Sequence, residues 1–296
     1  MADRPRAGRG VGRLRPSGAL AGVVPFFAYT TVFLLIPTLV VVVGAFLGPD
    51  GGPTTSNLRA LTEPNFLTAL RQSLVVSAVT ALVGAVVGGV LAYAVSTARP
   101  DGILKRFVTS LCGVLAQFGG VALAFAFMAT FVGSTSILGG FLSRAGIDSS
   151  AGAWLYTWDK GLMLVYLYFQ VPLMLIVFLP AVEGLRPQWR EATETLGGTT
   201  WTYWRRVGLP ILLPSFVGAT LLLFTNAFSA YATARALVSQ GSPLVPLKID
   251  DALSSEVVLG QQGVAKAMAL AMVVVVAVVM VVYALVDRRA SRWLQR

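Results

Sequence analysis

The chain has 296 residues and a mean hydropathy of +0.75, with 56% apolar and only 12% charged residues. Soluble domains carry about 25% charged residues, so a soluble globular protein is excluded. There is no His, and Cys112 is the single cysteine, which removes a zinc site, a His-dependent proton relay, a Cys–His pair and an intrachain disulfide from consideration.

The balance of 23 basic and 13 acidic residues gives +10. In a soluble protein that excess would suggest nucleic acid, but here the hydropathy points to a membrane. An ionised side chain at the bilayer centre costs at least a few kcal/mol, so charge-free intervals mark the spans. Six such intervals occur, between Arg15 and Asp50, Arg71 and Arg99, Arg106 and Arg144, Lys160 and Glu183, Arg206 and Arg235, and Lys266 and Asp287. Each accommodates the roughly 20 helical residues needed to cross about 30 Å of hydrocarbon.

In chain order, residues 1–20 form a basic tail rich in Arg, Gly and Pro, with the composition of a disordered segment. The first expected helix runs near Val23 to Phe46; its apolar run is longer than a signal-peptide core and no small-x-small cleavage site follows it, so a retained span is expected. The second runs near Ala69 to Thr97, followed by a short loop with the turn chemistry Arg99-Pro100-Asp101-Gly102. The third is expected as one helix from Phe107 to Val132, and its Gly119-Gly120 pair, like Gly84 and Gly88 in the second, reads as close helix packing. A longer loop carries Trp154, Tyr156 and Trp158 as headgroup-level anchors before the fourth helix, Gly161 to Val182. The fifth spans Leu209 to Thr233, with Arg235 snorkelling at its end. An exposed loop, Val238 to Gly263, precedes the sixth helix, Val264 to Val286, and residues 291–296 form a second basic tail. The fold class is thus all-α integral membrane, one six-helix domain over residues 21–290. With both termini cytoplasmic, 16 of the 23 basic residues lie on the inner side, as the positive-inside rule requires, and the seven outer ones match seven outer acids.

The inner segment 184–208 is neither span nor simple loop. Pro187 suits the first turn of a short helix, Gly197-Gly198 stops it, and Thr199 or Thr200 can cap a second helix containing Trp201, Tyr203, Trp204, Arg205 and Arg206. Two short amphipathic helices joined at a Gly hinge make an elbow, with Glu191 and Glu194 facing outward. The segment Glu191-Ala192-Thr193, then Gly197, then Val207, Gly208, Leu209 and Pro210 resembles the EAA motif of binding-protein-dependent ABC importer permeases. That motif is Glu-Ala-Ala, three residues, Gly, nine residues, Ile, one residue, Leu-Pro. Thr193 replaces the second Ala and Val207 replaces Ile, and every spacing is kept.

The resemblance implies the type I, MetI-like permease fold, and a coupling helix that docks in a cleft of an ABC ATPase dimer. It implies that Glu191, Ala192, Thr193, Gly197, Val207, Leu209 and Pro210 carry the coupling. No G-x-x-x-x-G-K-[ST] phosphate loop occurs in the chain, so it is expected to be no enzyme and to bind no cofactor, ATP and Mg being used by the partner ATPase.

Polar residues at mid-membrane depth are the candidate solute pathway. They are Gln117 and Gln170, about 15 Å and 14 Å into their helices at 1.5 Å per residue, together with Asn226, Ser229 and Tyr231. Interhelical hydrogen bonding is the alternative role for each. The stretches Gln117-Phe118-Gly119-Gly120-Val121 and Phe228-Ser229-Ala230-Tyr231-Ala232-Thr233 look most similar to the spermidine/putrescine branch of the same permeases. That branch implies a polyamine-type solute, with a sugar, phosphonate or ferric-iron importer as alternatives. It also implies a second permease subunit, a paralogue, and an extracytoplasmic solute-binding protein, in a bacterial cytoplasmic membrane with lipid around the chain and no nucleic acid. An ion-coupled secondary transporter is the rival of another class; it needs intramembrane acids, and the expected spans contain none.

Overall fold

In the computed structural model the described residues are 16–48, 50–99, 102–132, 136–137, 144, 155–238, 244–254 and 261–294. Residues 1–15, Pro100, Asp101, Trp154 and most of the loop around it lie outside them, as do 295–296 at the end of the second tail. The described residues are helical, and the sole strand-like pairing among them is an isolated bridge between Leu47 and Pro53.

The first span is built from α1 (Pro16–Thr30) and α2 (Ile36–Gly44), joined by a wide π turn over Thr31–Leu35. Pro37 explains that turn: its ring cannot accept the carbonyl four residues earlier, and the Ile36 N–H bonds Thr31 O, five back. In the short α3 (Ser56–Arg59), Asn57 is buried and donates to the carbonyls of Ala45 (3.1 Å) and Leu47 (2.9 Å), closing the end of the first span. The second span is α4 (Pro64–Ser96), 33 residues long.

The third span departs from the expected single helix. It is two helices, α5 (Ile103–Gln117) and α6 (Gly120–Phe131), bent by 102° at Phe118-Gly119. Continuous apolarity disguises the break. Gly120 takes φ +71°, a left-handed conformation that a side chain disfavours, so the Gly pair turns the chain and does not pack helices.

The fourth span is α7 (Gly161–Glu183). The elbow is α8 (Pro187–Thr195) and α9 (Thr200–Tyr203), and a second π turn, Trp204–Gly208, leads into α10 (Leu209–Ser229). The fifth span also ends sooner than expected, at Ser229, and resumes as α11 (Ala232–Leu237). The segment read as a loop contains α12 (Val245–Ser254), whose Val245 and Leu247 are buried. The last span, α13 (Gln262–Leu294), continues eight residues past Val286, where the sixth helix was expected to end. Among the described residues five helices are long and apolar enough to cross a membrane, and the bent α5–α6 pair makes a sixth if counted as one.

The core is a layer of α4, α7 and α10. On α4 the small residues Ala81, Gly84, Ala85, Gly88 and Ala92 are buried, letting α7 approach closely. A Cβ on Gly88 would stand 2.5 Å from Met174 Cβ and 2.7 Å from the Val171 carbonyl oxygen. Gly88→Val is therefore expected to cost about 1–3 kcal/mol and to lower the melting temperature of the detergent-solubilised protein by several degrees. Gly113→Ala, with nothing within 4 Å of the added methyl, should leave it unchanged or raise it.

Candidate functional sites: the elbow and a pocket between two broken helices

The elbow is specified by local chemistry. Pro187 opens α8, where its missing N–H is no loss. At the other end the Gly197 N–H donates to Glu194 O (3.0 Å) and the Gly198 N–H to Thr193 O (2.9 Å), a complete Schellman closure. Gly197 takes φ +77° in open space. Gly198 is needed for a different reason, since a Cβ there would meet Thr193 Cγ2 at 2.7 Å. Thr193, the departure from the motif's second Ala, thus packs directly against the hinge. Thr199 caps α9 reciprocally with Thr202.

Of the two glutamates, Glu194 is held by Arg190 at 3.0 Å, while Glu191 is exposed with no partner among the described residues. At the tip Leu196 is 87% exposed and Trp201 70%. Leu196 was not among the residues singled out from sequence; its signal is an apolar side chain set directly before the Gly-Gly stop. Ala192 is exposed beside Glu191, and Val207 lies in the π turn that ends against Pro210. In that turn the Leu209 N–H reaches back to Trp204 O, five residues, as Pro210 demands. Trp204 folds over Gly208 and meets Tyr93 edge to face at 5.2 Å. Lys105 bridges Glu183 at 2.6 Å, tying the start of α5 to the end of α7 beside the elbow.

At the far end of the bundle the two helix breaks meet. The Thr233 hydroxyl donates to Gly120 O (3.2 Å), and the buried Tyr166 hydroxyl donates to Ala230 O (2.8 Å). Carbonyls freed by the breaks are thereby satisfied, as backbone at membrane depth must be. Between the breaks lies a pocket of about 270 Å³ lined by Gly119, Gly120, Phe169, Asn226, Ser229 and Tyr231, among others. Asn226 is exposed there and its amide makes no hydrogen bond among the described residues. The Ser229 hydroxyl turns back to Thr225 O at 3.0 Å. Beside the pocket Arg235 does not snorkel: it bridges Asp250 (3.3 Å) and Asp251 (3.4 Å) of α12, and Asp250 also faces the Tyr231 hydroxyl.

Three of the five pathway residues expected from sequence, Asn226, Ser229 and Tyr231, therefore share one pocket. Gln117 ends α5, exposed next to the break, and does not line it. Gln170 is fully buried between α7 and α4, where it donates to Thr80 Oγ1 at 2.7 Å, the interhelical role.

Residues 84–292 match the family described as binding-protein-dependent transport system inner membrane component. The chain belongs to that family. Family and fold together make it the permease type of subunit of ABC importers, a multi-pass membrane protein and not itself an enzyme. It is 26% identical over 283 residues to the spermidine/putrescine permease protein PotB of Haemophilus influenzae, covering 93% of this chain and 94% of that one. It is 28% identical over 181 residues to the sulfate permease protein CysT of Escherichia coli, covering 58% of each. Among solved structures, a bacterial ABC transporter that imports the acidic polysaccharide alginate superposes with a TM-score of 0.72 at 18% identity, over 93% of this chain and 96% of that one. The MetNI methionine transporter superposes at 0.55, over 77% and 98%. The permease fold is thus shared across relatives with different solutes.

Proposed function

We propose that this chain forms half of a solute pathway through a bacterial cytoplasmic membrane and couples it, through the elbow, to ATP hydrolysis on a separate subunit. The observation that carries the reading is the elbow itself: a rigidly closed hinge that projects an unpaired carboxylate, Glu191, and an exposed apolar tip, Leu196, from the bundle. An exposed leucine ringed by polar groups is the chemistry of a docking anchor, since burying it fully is worth about 1.5–3 kcal/mol. The elbow faces the cytoplasm and docks on an ABC ATPase dimer that holds the ATP and Mg. The π turn and Pro210 transmit its motion into α10 without slack. The pocket at the broken helices is this subunit's contribution to the pathway, completed by a second permease, a paralogue, and loaded by an extracytoplasmic binding protein.

The solute is of the polyamine type. Similarity to the spermidine/putrescine permease over nearly the whole chain supports this, as does the aromatic lining of Phe169 and Tyr231. The lining itself carries no charge, which favours a sugar-like solute as the second reading. Uptake of labelled spermidine, putrescine, maltose and sulfate in cells expressing the full system tests this: saturable polyamine uptake is expected, and uptake of the sugar or sulfate alone overturns it. Leu196→Asp should reduce copurification of the ATPase with the chain by about tenfold, roughly 1.4 kcal/mol, in a membrane pull-down; undiminished copurification removes the tip from the docking surface.

A further inference from the structure

On the elbow side of the core layer, the ends of α4 and α7 and the start of α10 enclose a groove of about 480 Å³. Its walls are Val90, Phe178, Leu213 and Phe216, and Tyr93 and Trp204 close its elbow end. Val90 and Leu213 are 64% and 58% exposed, so the groove opens sideways from the protein. A Tyr–Trp pair of this kind stands at the headgroup level of a bilayer, which puts the rest of the groove at hydrocarbon depth.

Basic residues stand close in the chain to the two aromatics that close the elbow end. Arg205 and Arg206 follow Trp204 directly, and Arg99 lies six residues beyond Tyr93. All three are exposed, and none of their guanidinium groups has an ion-pair or hydrogen-bond partner among the described residues. Their neighbours at this end differ: Lys105 and Arg190 are both matched by glutamates. Three guanidiniums without a counter-charge among the described residues, at the aromatic end of an apolar trough, have the chemistry to hold a phosphate whose hydrocarbon chain lies in it. Arginine binds phosphate oxygens in a bidentate fork, and basic residues beside a membrane are attracted to its anionic lipids.

We infer that the groove is a binding site for one anionic phospholipid, its acyl chain along Val90, Leu213 and Phe216 and its phosphate on Arg205, Arg206 and Arg99. A helix of another permease subunit would fill the same trough, but it would leave the three arginines without a counter-charge, so the lipid is the better match. The site touches Trp204, which opens the π turn between the elbow and α10, and Leu209, which follows that turn as the first residue of α10. A bound lipid therefore braces the joint through which the elbow moves. The inference rests on membrane insertion and not on the identity of the solute or of the ATPase.

Native mass spectrometry of the full chain in detergent, with phosphatidylglycerol and phosphatidylcholine added at equal concentration, tests it. Retention of phosphatidylglycerol at least about tenfold above phosphatidylcholine is expected, a difference of roughly 1.4 kcal/mol. The triple variant Arg99→Gln, Arg205→Gln, Arg206→Gln should abolish that preference while leaving phosphatidylcholine retention unchanged. Leu213→Trp, which fills the trough, should reduce retention of both lipids; if that variant does not fold, Val90→Phe replaces it. Equal retention of the two lipids by the unaltered chain overturns the inference. So does a preference that survives in the triple variant, which would assign it to the basic tail, or one unmoved by filling the groove, which would make it a surface charge effect. Disulfide cross-linking of Leu213→Cys to a second permease subunit in native membranes would give the trough to that subunit and overturn it as well.

Discussion

Replacing Glu191 by Ala together with Gly197 by Asp is expected to abolish solute-stimulated ATP hydrolysis by the assembled importer while the chain still enters the membrane. Each change attacks a different property of the elbow. Glu191 is its unpaired carboxylate, whereas Glu194 is already occupied by Arg190. Truncating one partner of a charge pair buried in an interface costs about 2–5 kcal/mol. Gly197 sits at φ +77°, where an L side chain is strained by about 1–2 kcal/mol. Open space around it means that Asp meets no clash within the chain, so the added carboxylate projects onto the docking face. Both losses fall on the elbow and spare the core layer, which is why insertion should persist. Reconstitution in proteoliposomes with the binding protein and its ligand checks this: stimulation equal to that of the unaltered importer would end the coupling role of the elbow. Glu194→Ala is the internal comparison and should act less strongly, since its carboxylate is already held by Arg190.

The elbow was legible from sequence because all of its determinants are local. Pro187, Gly197, Gly198 and Thr199 each act within a few residues of themselves, and the structure puts each where its chemistry predicts. The spans were legible for a different reason: charge is so costly in hydrocarbon that its absence marks them. What escaped was anything that changes direction inside an apolar run. The bend at Phe118-Gly119 and the break at Ala230-Tyr231 carry no charge and no proline, and they are held by contacts over long sequence separations, Thr233 to Gly120 and Tyr166 to Ala230. A Gly-Gly pair within a span is equally suited to packing and to bending, and only the partner across the break decides. Helix α12 was hidden by its flanks, since Ser239, Gly241, Ser242 and Pro243 before it and Ser255 and Gly260 after it gave the whole interval the composition of a loop, while its buried face is just Val245 and Leu247. The π turns were missed because Pro210 was taken to start the fifth helix and Pro37 drew no notice inside the first; a proline following continuous helix instead widens the turn before it.

Filling the pocket between the two breaks should block transport and spare docking. Ser229→Trp places an indole in a space of about 270 Å³ that Asn226 and Tyr231 share, and solute uptake should fall by at least about tenfold, roughly 1.4 kcal/mol of lost transition. The elbow lies at the opposite end of α10, so copurification of the ATPase and basal ATP hydrolysis should stay within about twofold, well under 1 kcal/mol. Gly120→Ala tests the same site from its other wall. The added methyl meets only Ala232 Cβ at an ordinary 3.7 Å, so its cost is backbone strain at φ +71°, which pulls the Gly120 carbonyl from the Thr233 hydroxyl. Gln170→Met serves as the contrast. Gln170 bonds Thr80 inside the protomer, and the Thr80 hydroxyl retains its bond to Val76 O at 2.7 Å, so the variant should leave the order of preference among solutes unaltered. If Gln170→Met changed that order and Ser229→Trp left uptake intact, the pathway would run between α4 and α7, not through the broken helices. The physical case favours the breaks, because irregular backbone at membrane depth persists only where it is buried in protein or borders a cavity, and here two such segments border the same one.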